Sequence, residues 1–237
     1  DEFDCDVLVT GHHARSAEGN GAWSLLRGRD GAKDQSYVLS MLTQRELSRT
    51  RFPVGELTKN EVRDVASRLR LRTAAKPESM DICFVGQRDY RGFLADHAPE
   101  VFEPGPIVDT SGREIGSHEG IVGFTVGQRR GLGIALGEPR FVIRIEGGTS
   151  TVVVGDRDDL GVRKLGLTQL SWVSGRRPAS GRVQAQYRAH GATADAGLSG
   201  DVLEFTEPQR AIAPGQTIAF YDDDLVLGGA IIAGTNL

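Results

Sequence analysis

Long apolar runs are missing from this 237-residue chain. No stretch approaches eighteen consecutive apolar residues, which excludes a membrane-spanning helix. The opening Asp1-Glu2-Phe3-Asp4 has neither a basic n-region nor an apolar h-region, so no secretory signal is read there and a cytoplasmic protein is expected. Cysteine is scarce. Cys5 and Cys83 are too few for a disulfide framework, and their spacing suits no zinc site, so no metal is expected and any cysteine chemistry is catalytic or incidental. An excess of positive charge is lacking too, with 28 basic against 32 acidic residues and a net charge of −4. That balance argues against wholesale coating of nucleic acid but leaves room for a local basic face. No methionine opens the chain, and the run Cys5-Asp6-Val7-Leu8-Val9 reads as a buried strand that needs neighbours, so a piece of a longer protein is expected. What is present, 39% apolar and 25% charged residues, is enough to bury a core and excludes disorder as the main state.

Up to about Tyr90 the pattern is α/β. Thr43 followed by Glu46, and Thr58 followed by Glu61, match capping boxes and mark two helix starts. From Lys59 to Leu71, Val62, Val65, Ala66 and Leu69 recur at helical spacing. Tyr37 to Leu42 fits a short buried helix with Asp34 capping its first turn, and Arg88 to His97 offers another helix. Beyond Pro99, Pro104 and Pro106 the texture becomes β. Phe141–Ile145 and Ser150–Val154 read as a hairpin. Strands are predicted at Gly166–Trp172, Gly181–His190, Asp201–Phe205, Thr217–Tyr221 and Leu225–Ile232, a spacing that suggests a small barrel. Three domains are expected, over residues 1–90, 91–161 and 162–237.

Several residues could carry chemistry. Cys83, between Ile82 and Phe84, reads either as a buried structural thiol or as a reactive one. His12-His13 follows a strand and Gly11, where ligands dock in α/β sheets, although a hydrogen-bonding role at a loop is the default reading of such histidines. Lys33-Asp34-Gln35 suits a helix cap or a phosphate contact. Gln128-Arg129-Arg130-Gly131-Leu132-Gly133 places two guanidinium groups on a glycine-rich loop, fit for phosphate or for a solvated turn. From Arg163 to Arg188 there are six basic residues and no acid, whereas Asp195 to Asp224 holds seven acids against Arg210. Such asymmetry can orient a polyanion, with Tyr187 beside Arg188 able to stack on a base; ordinary strand alternation is the competing reading.

Six segments in order resemble the bacterial tRNA-specific 2-thiouridylases. They are Thr10–Arg15, Lys33–Tyr37, Phe52–Leu57, Asp81–Gly86, Thr125–Gly133 and Ala213–Gln216. The resemblance implies the C-terminal part of an adenine-nucleotide α-hydrolase-like (Rossmann-like) domain, a small central mostly-β domain and a C-terminal β-barrel. It implies an enzyme that uses ATP, with Mg2+ as counter-ion, to activate C2 of the wobble uridine of tRNA. Sulfur carried as a cysteine persulfide then replaces the oxygen. By motif match Cys83 bears the persulfide, and Gly11 contacts ATP. His12, Lys33, Asp34, Gln35, Tyr187, Arg188 and Gln216 hold tRNA. A sulfur-relay protein or cysteine desulfurase is the implied donor. The family's Ser-Gly-Gly-x-Asp-Ser pyrophosphate loop and Asn-Pro-Cys cysteine do not occur in this sequence, so the chain alone is expected to be inactive, a tRNA-binding module at most. His13 stands where the family usually has tyrosine.

Overall fold

The computed structural model describes residues 5–75, 90–134 and 137–235. Cys83 and the whole Asp81–Gly86 motif lie outside the described residues. Two compact units emerge: residues 1–77 with 163–208 and 214–237, and residues 78–162 with 209–213.

In the first unit, β1 (Leu8–Val9) pairs parallel with β4 (Thr50–Arg51). The strand expected to be buried is exposed instead, with Leu8 and Val9 at 64% and 63%. Only one of its edges is paired among the described residues, so these apolar side chains gain little from it. Next comes a hairpin, β2 (Ala14–Gly19) and β3 (Ala22–Arg27). Asn20 and Gly21, at φ 52° and 74°, give the two left-handed residues that a tight hairpin turn needs. The expected helix at Tyr37–Leu42 is a 3-10 turn at Ser36–Leu39 with Val38 exposed. Both capping boxes are formed, at α1 (Gln44–Ser48) and α2 (Lys59–Arg68).

Six strands close the barrel: β9 (Gly161–Trp172), β10 (Arg182–Gln186), β11 (Ala194–Ser199), β12 (Val202–Arg210), β13 (Thr217–Asp222) and β14 (Leu225–Thr235). Their order is β13-β10-β11-β12-β9-β14, with β14 returning to β13. The hairpin extends this sheet, because β3 pairs with β14 at Leu25–Val226 and Leu26–Leu225. Ile218, Ala219, Phe220 and Tyr221 are consequently all buried. Ala219 and Tyr221 pack with Ala14, Leu25, Leu47 and Phe52 in one core, while Phe220, on the opposite face of the strand, stacks on Trp172 at 5.5 Å. A strand covered on both faces is continuously apolar, as this one is.

The second unit contains α3 (Tyr90–His97) and a four-stranded sheet of β5 (Gly105–Val108), β6 (Glu114–His118), β7 (Phe141–Glu146) and β8 (Thr151–Gly155). The sheet order is β6-β5-β8-β7. Ile107, Leu132, Val142, Val152 and Val154 form its core. The predicted hairpin is present as β7 and β8, joined by a 3-10 turn. No helix among the described residues is long and apolar enough to cross a membrane.

Candidate functional site

The site begins where β1 ends. Thr10 N donates to Arg51 O at 3.1 Å, the last rung of the parallel pair, and Gly11 follows, exposed. A Cβ on Gly11 would meet nothing within 4 Å, so its backbone is open to a ligand. Thr10 Oγ1 lies 2.9 Å from Nδ1 of half-buried His12. His13 turns inward and is 5% exposed. Gln35 clamps its backbone from both sides, because Gln35 Oε1 accepts from His13 N at 3.0 Å and Gln35 N donates to His13 O at 2.9 Å.

Asp34 is buried and its oxygens are used. Oδ1 accepts from Gly28 N at 2.9 Å and Ser36 N at 3.1 Å, and Oδ2 accepts from Arg27 Nη1 at 2.9 Å and Ser36 Oγ at 2.8 Å. Because Ser36 gives its proton to Asp34, the 3.1 Å contact between Ser36 Oγ and Tyr221 Oη is donated by the tyrosine. Burial pushes the Tyr221 phenol up to about 12, which keeps that donor protonated.

Arg27 carries the network onward. Its guanidinium stacks 3.7 Å from the Tyr221 ring centroid and donates to Gln186 Oε1 at 3.3 Å. Gln186 Nε2 in turn donates to the carbonyls of Arg188 at 2.8 Å and Ala189 at 3.1 Å. Those bonds turn the chain after Gln186, which is why β10 stops short of the predicted His190. The turn presents exposed Arg188, with its guanidinium 5.4 Å from the Tyr187 ring. Tyr187 meets Phe205 edge-on at 5.9 Å. Tyr37 Oη donates to Thr217 O at 2.6 Å, tying the segment after Lys33–Gln35 to the residue beside exposed Gln216.

Asp34, Gln35 and Arg188 thus lie along one path of hydrogen bonds that enters through the His13 backbone, with His12, half-buried Lys33 and Tyr187 beside it in sequence. Arg27, Ser36, Gln186 and Tyr221 complete the path; sequence reasoning missed Arg27, Gln186 and Tyr221, and it included Ser36 only as part of the Lys33–Tyr37 segment. The Phe52–Leu57 motif sits beneath it: a Cβ on Gly55 would fall 1.8 Å from Ala14 O. Gly55→Ala therefore forces the backbone apart and is expected to cost about 1–3 kcal/mol. Urea unfolding measures this; an unchanged midpoint would mean the contact is loose.

Burial, followed by the charge of Lys59, holds the His13 imidazole below its ordinary 6.5, with Asp30 opposing and Lys33 reinforcing. The unfolded chain therefore takes up the proton first on acidification. Stability is fully present above about 6.5 and falls as pH drops through 6.5 toward the lower folded value. His13→Tyr should flatten the decline in unfolding midpoint between about pH 7 and about pH 5.5. An equally steep decline in the variant would assign it elsewhere.

Among the described residues no group of three His, Cys, Asp or Glu side chains is placed to hold a metal ion. Three family profiles match in succession: "tRNA methyl transferase HUP domain" over residues 1–87, "tRNA methyl transferase PRC-barrel domain" over 91–156, and "Aminomethyltransferase beta-barrel domain" over 162–232. The tRNA-specific 2-thiouridylase MnmA of Moorella thermoacetica is 45% identical over 235 residues, covering 96% of this chain and 66% of its own length. The protein of the same name from Syntrophotalea carbinolica is 43% identical over 238 residues, covering 98% and 68%. That from Roseiflexus sp. is 44% identical over 252 residues, covering 96% and 68%. The chain thus spans about two thirds of the length of these relatives. With its HUP-like N-terminal part, central PRC-barrel region and closed C-terminal β-barrel, the chain belongs to the tRNA-specific 2-thiouridylase family.

Proposed function

We propose that this chain is the tRNA-gripping and sulfur-carrying part of an enzyme that converts the wobble uridine of tRNA to 2-thiouridine in the cytoplasm. The reading is carried by the path from His13 and Asp34 through Arg27 and Gln186 to Arg188. It joins, within one compact unit, Asp34, Gln35 and Arg188, three of the positions that family resemblance assigns to tRNA, and Lys33 and Tyr187 are their chain neighbours. Lys33 and Arg188 supply phosphate-seeking charge, and the Tyr187 ring offers a stacking face.

A carbonyl oxygen is a poor leaving group, and ATP, with Mg2+ as counter-ion, supplies the phosphoester that makes it a good one. Gly11 is the position that the resemblance assigns to ATP contact, and its open backbone fits such an approach. Cys83 then carries the sulfur. A persulfide attacks well near neutral pH because its outer sulfur is soft and largely ionised. Attack at C2 forms the carbon–sulfur bond, the adenylated oxygen leaves as AMP, and the remaining sulfur–sulfur bond is cleaved by a second thiol. The sulfur itself comes from a relay protein or a cysteine desulfurase. Reaching C2 requires the base to leave its stack.

The 237-residue chain by itself is expected to bind tRNA without thiolating it, because the pyrophosphate loop and Asn-Pro-Cys cysteine are absent from its sequence. Filter binding over a salt series should show affinity falling steeply as salt rises. Incubation with tRNA, ATP and a sulfur donor should yield no 2-thiouridine. Turnover by the isolated chain would refute the division of labour; salt-independent binding would refute the phosphate grip.

A further inference from the structure

The glycine-rich loop of the second unit has no role in the path described above, yet its backbone is tied down at several points. Gly127 N donates to Val142 O at 2.7 Å, and Val142 N donates back to Gln128 O at 2.9 Å, so β7 holds the loop's first residues. The Gln128 side chain bridges the loop: its Oε1 accepts from Thr125 N at 2.9 Å, and its Nε2 donates to Arg130 O at 3.0 Å. Leu132 anchors the far end in the core beside Val142. Gly131 and Gly133 take φ of 73° and 71°, and a Cβ on Gly133 would meet nothing within 4 Å. Between these anchors Arg129 and Arg130 are exposed, and neither has an ion-pair partner among the described residues. By contrast, Arg113, Arg140 and Arg144 in the same unit each pair with a carboxylate. A cavity of about 210 Å³ adjoins the loop, lined by Arg129, Gly131, Leu132, Gly133, Glu138 and Arg140, among others. Its one carboxylate, Glu138, already faces Arg140 at 3.4 Å.

Like charges on consecutive residues repel each other, and a loop that only turned the chain would gain nothing from two of them. Two exposed guanidinium groups, without an ion-pair partner among the described residues and carried on a backbone anchored at both ends, form an arrangement that bidentate recognition of phosphate rewards. We infer that the Gln128–Gly133 loop is a clamp for the tRNA phosphodiester backbone, with Arg129 and Arg130 each neutralising one phosphate and Gln128 holding the loop's shape. This rests on the proposed function, since it takes tRNA as the substrate.

The test measures binding of the full-length enzyme to unmodified tRNA from about 50 to about 300 mM salt. Arg129→Gln/Arg130→Gln should make the slope of log affinity against log salt shallower by ~1.4–1.8, the release of two phosphates' counterions, and raise the KM for tRNA more than it lowers kcat. Gln128→Ala keeps both charges, so it should lower affinity several-fold while keeping most of the slope. Arg188→Ala serves as the control on the first unit. An unchanged slope in the double variant, alongside a reduced slope in Arg188→Ala, overturns the clamp and leaves the proposed function standing. A raised KM for ATP with an unchanged tRNA slope also overturns it, assigning the loop to nucleotide phosphates. Wild-type enzyme that neither binds tRNA in a salt-dependent manner nor forms 2-thiouridine overturns both readings. Circular dichroism of the double variant should match wild type; if it does not, the single variants are measured, each predicted to make the slope shallower by ~0.7–0.9, about half of the double variant's change.

Discussion

Full-length protein carrying Cys83→Ser is expected to form no measurable 2-thiouridine while binding tRNA within about twofold of wild type. A serine hydroxyl cannot hold a sulfur–sulfur bond, and it is un-ionised near neutral pH, so the variant loses both the carrier and the nucleophile. The loss should exceed roughly a thousandfold in kcat, the scale on which removal of a covalent catalyst registers. Binding should survive because the groups proposed to grip RNA lie on the His12–Gln35 segment and the turn after β10. Thiolation is read by mass spectrometry of digested tRNA and binding by filter retention. If Cys83→Ser instead abolished binding and lowered the unfolding midpoint, the thiol would be a packing residue, the alternative its apolar neighbours Ile82 and Phe84 leave open.

The second large effect is structural. Asp34→Ala removes the acceptor for Gly28 N, Ser36 N, Ser36 Oγ and Arg27 Nη1 at once. It also leaves the Arg27 cation, 23% exposed, without its carboxylate. Breaking such a pair from one side costs on the order of 3 kcal/mol, because the partners lose water and gain nothing in return. Urea unfolding should show this loss. Affinity for tRNA should drop with it, since the Gln186 bonds that shape the Arg188 turn depend on where Arg27 is held. Tyr221→Phe removes a single donor to Ser36 and should cost only about 1 kcal/mol. A loss below about 1 kcal/mol in Asp34→Ala would show that the carboxylate is not part of the scaffold. The resemblance implies that Asp34 is among the residues that hold tRNA; with its oxygens already engaged, the role proposed for it is to position the Lys33–Gln35 segment.

Much of the fold could be read locally. The two Thr-x-x-Glu boxes start α1 and α2 because a capping box is complete within four residues. Most barrel strands announced themselves through β-branched and aromatic runs, with Thr217–Tyr221 matching β13 closely. The misses have physical causes. The β2–β3 hairpin hides in a segment rich in Ala, Ser and Gly, and only Asn20-Gly21 marks its turn. Strand β11, Ala-Asp-Ala-Gly-Leu-Ser, has little strand propensity of its own and is held by pairing with β10 and β12. The site was legible only in part. Gly11, His12 and Lys33–Gln35 stand out as motifs, but Arg27, Gln186 and Tyr221 do not. Their contacts span 159 residues in one case and 185 in another, and no local pattern encodes such separations.

The most direct test is of the sulfur itself. Full-length protein is incubated with a sulfur donor, alkylated, digested and weighed. The peptide containing Cys83 should gain about 32 Da, one sulfur atom, and lose it again when ATP and tRNA are added. A peptide that never gains that mass, from an enzyme that nonetheless thiolates tRNA, would contradict the assignment of Cys83 as the carrier.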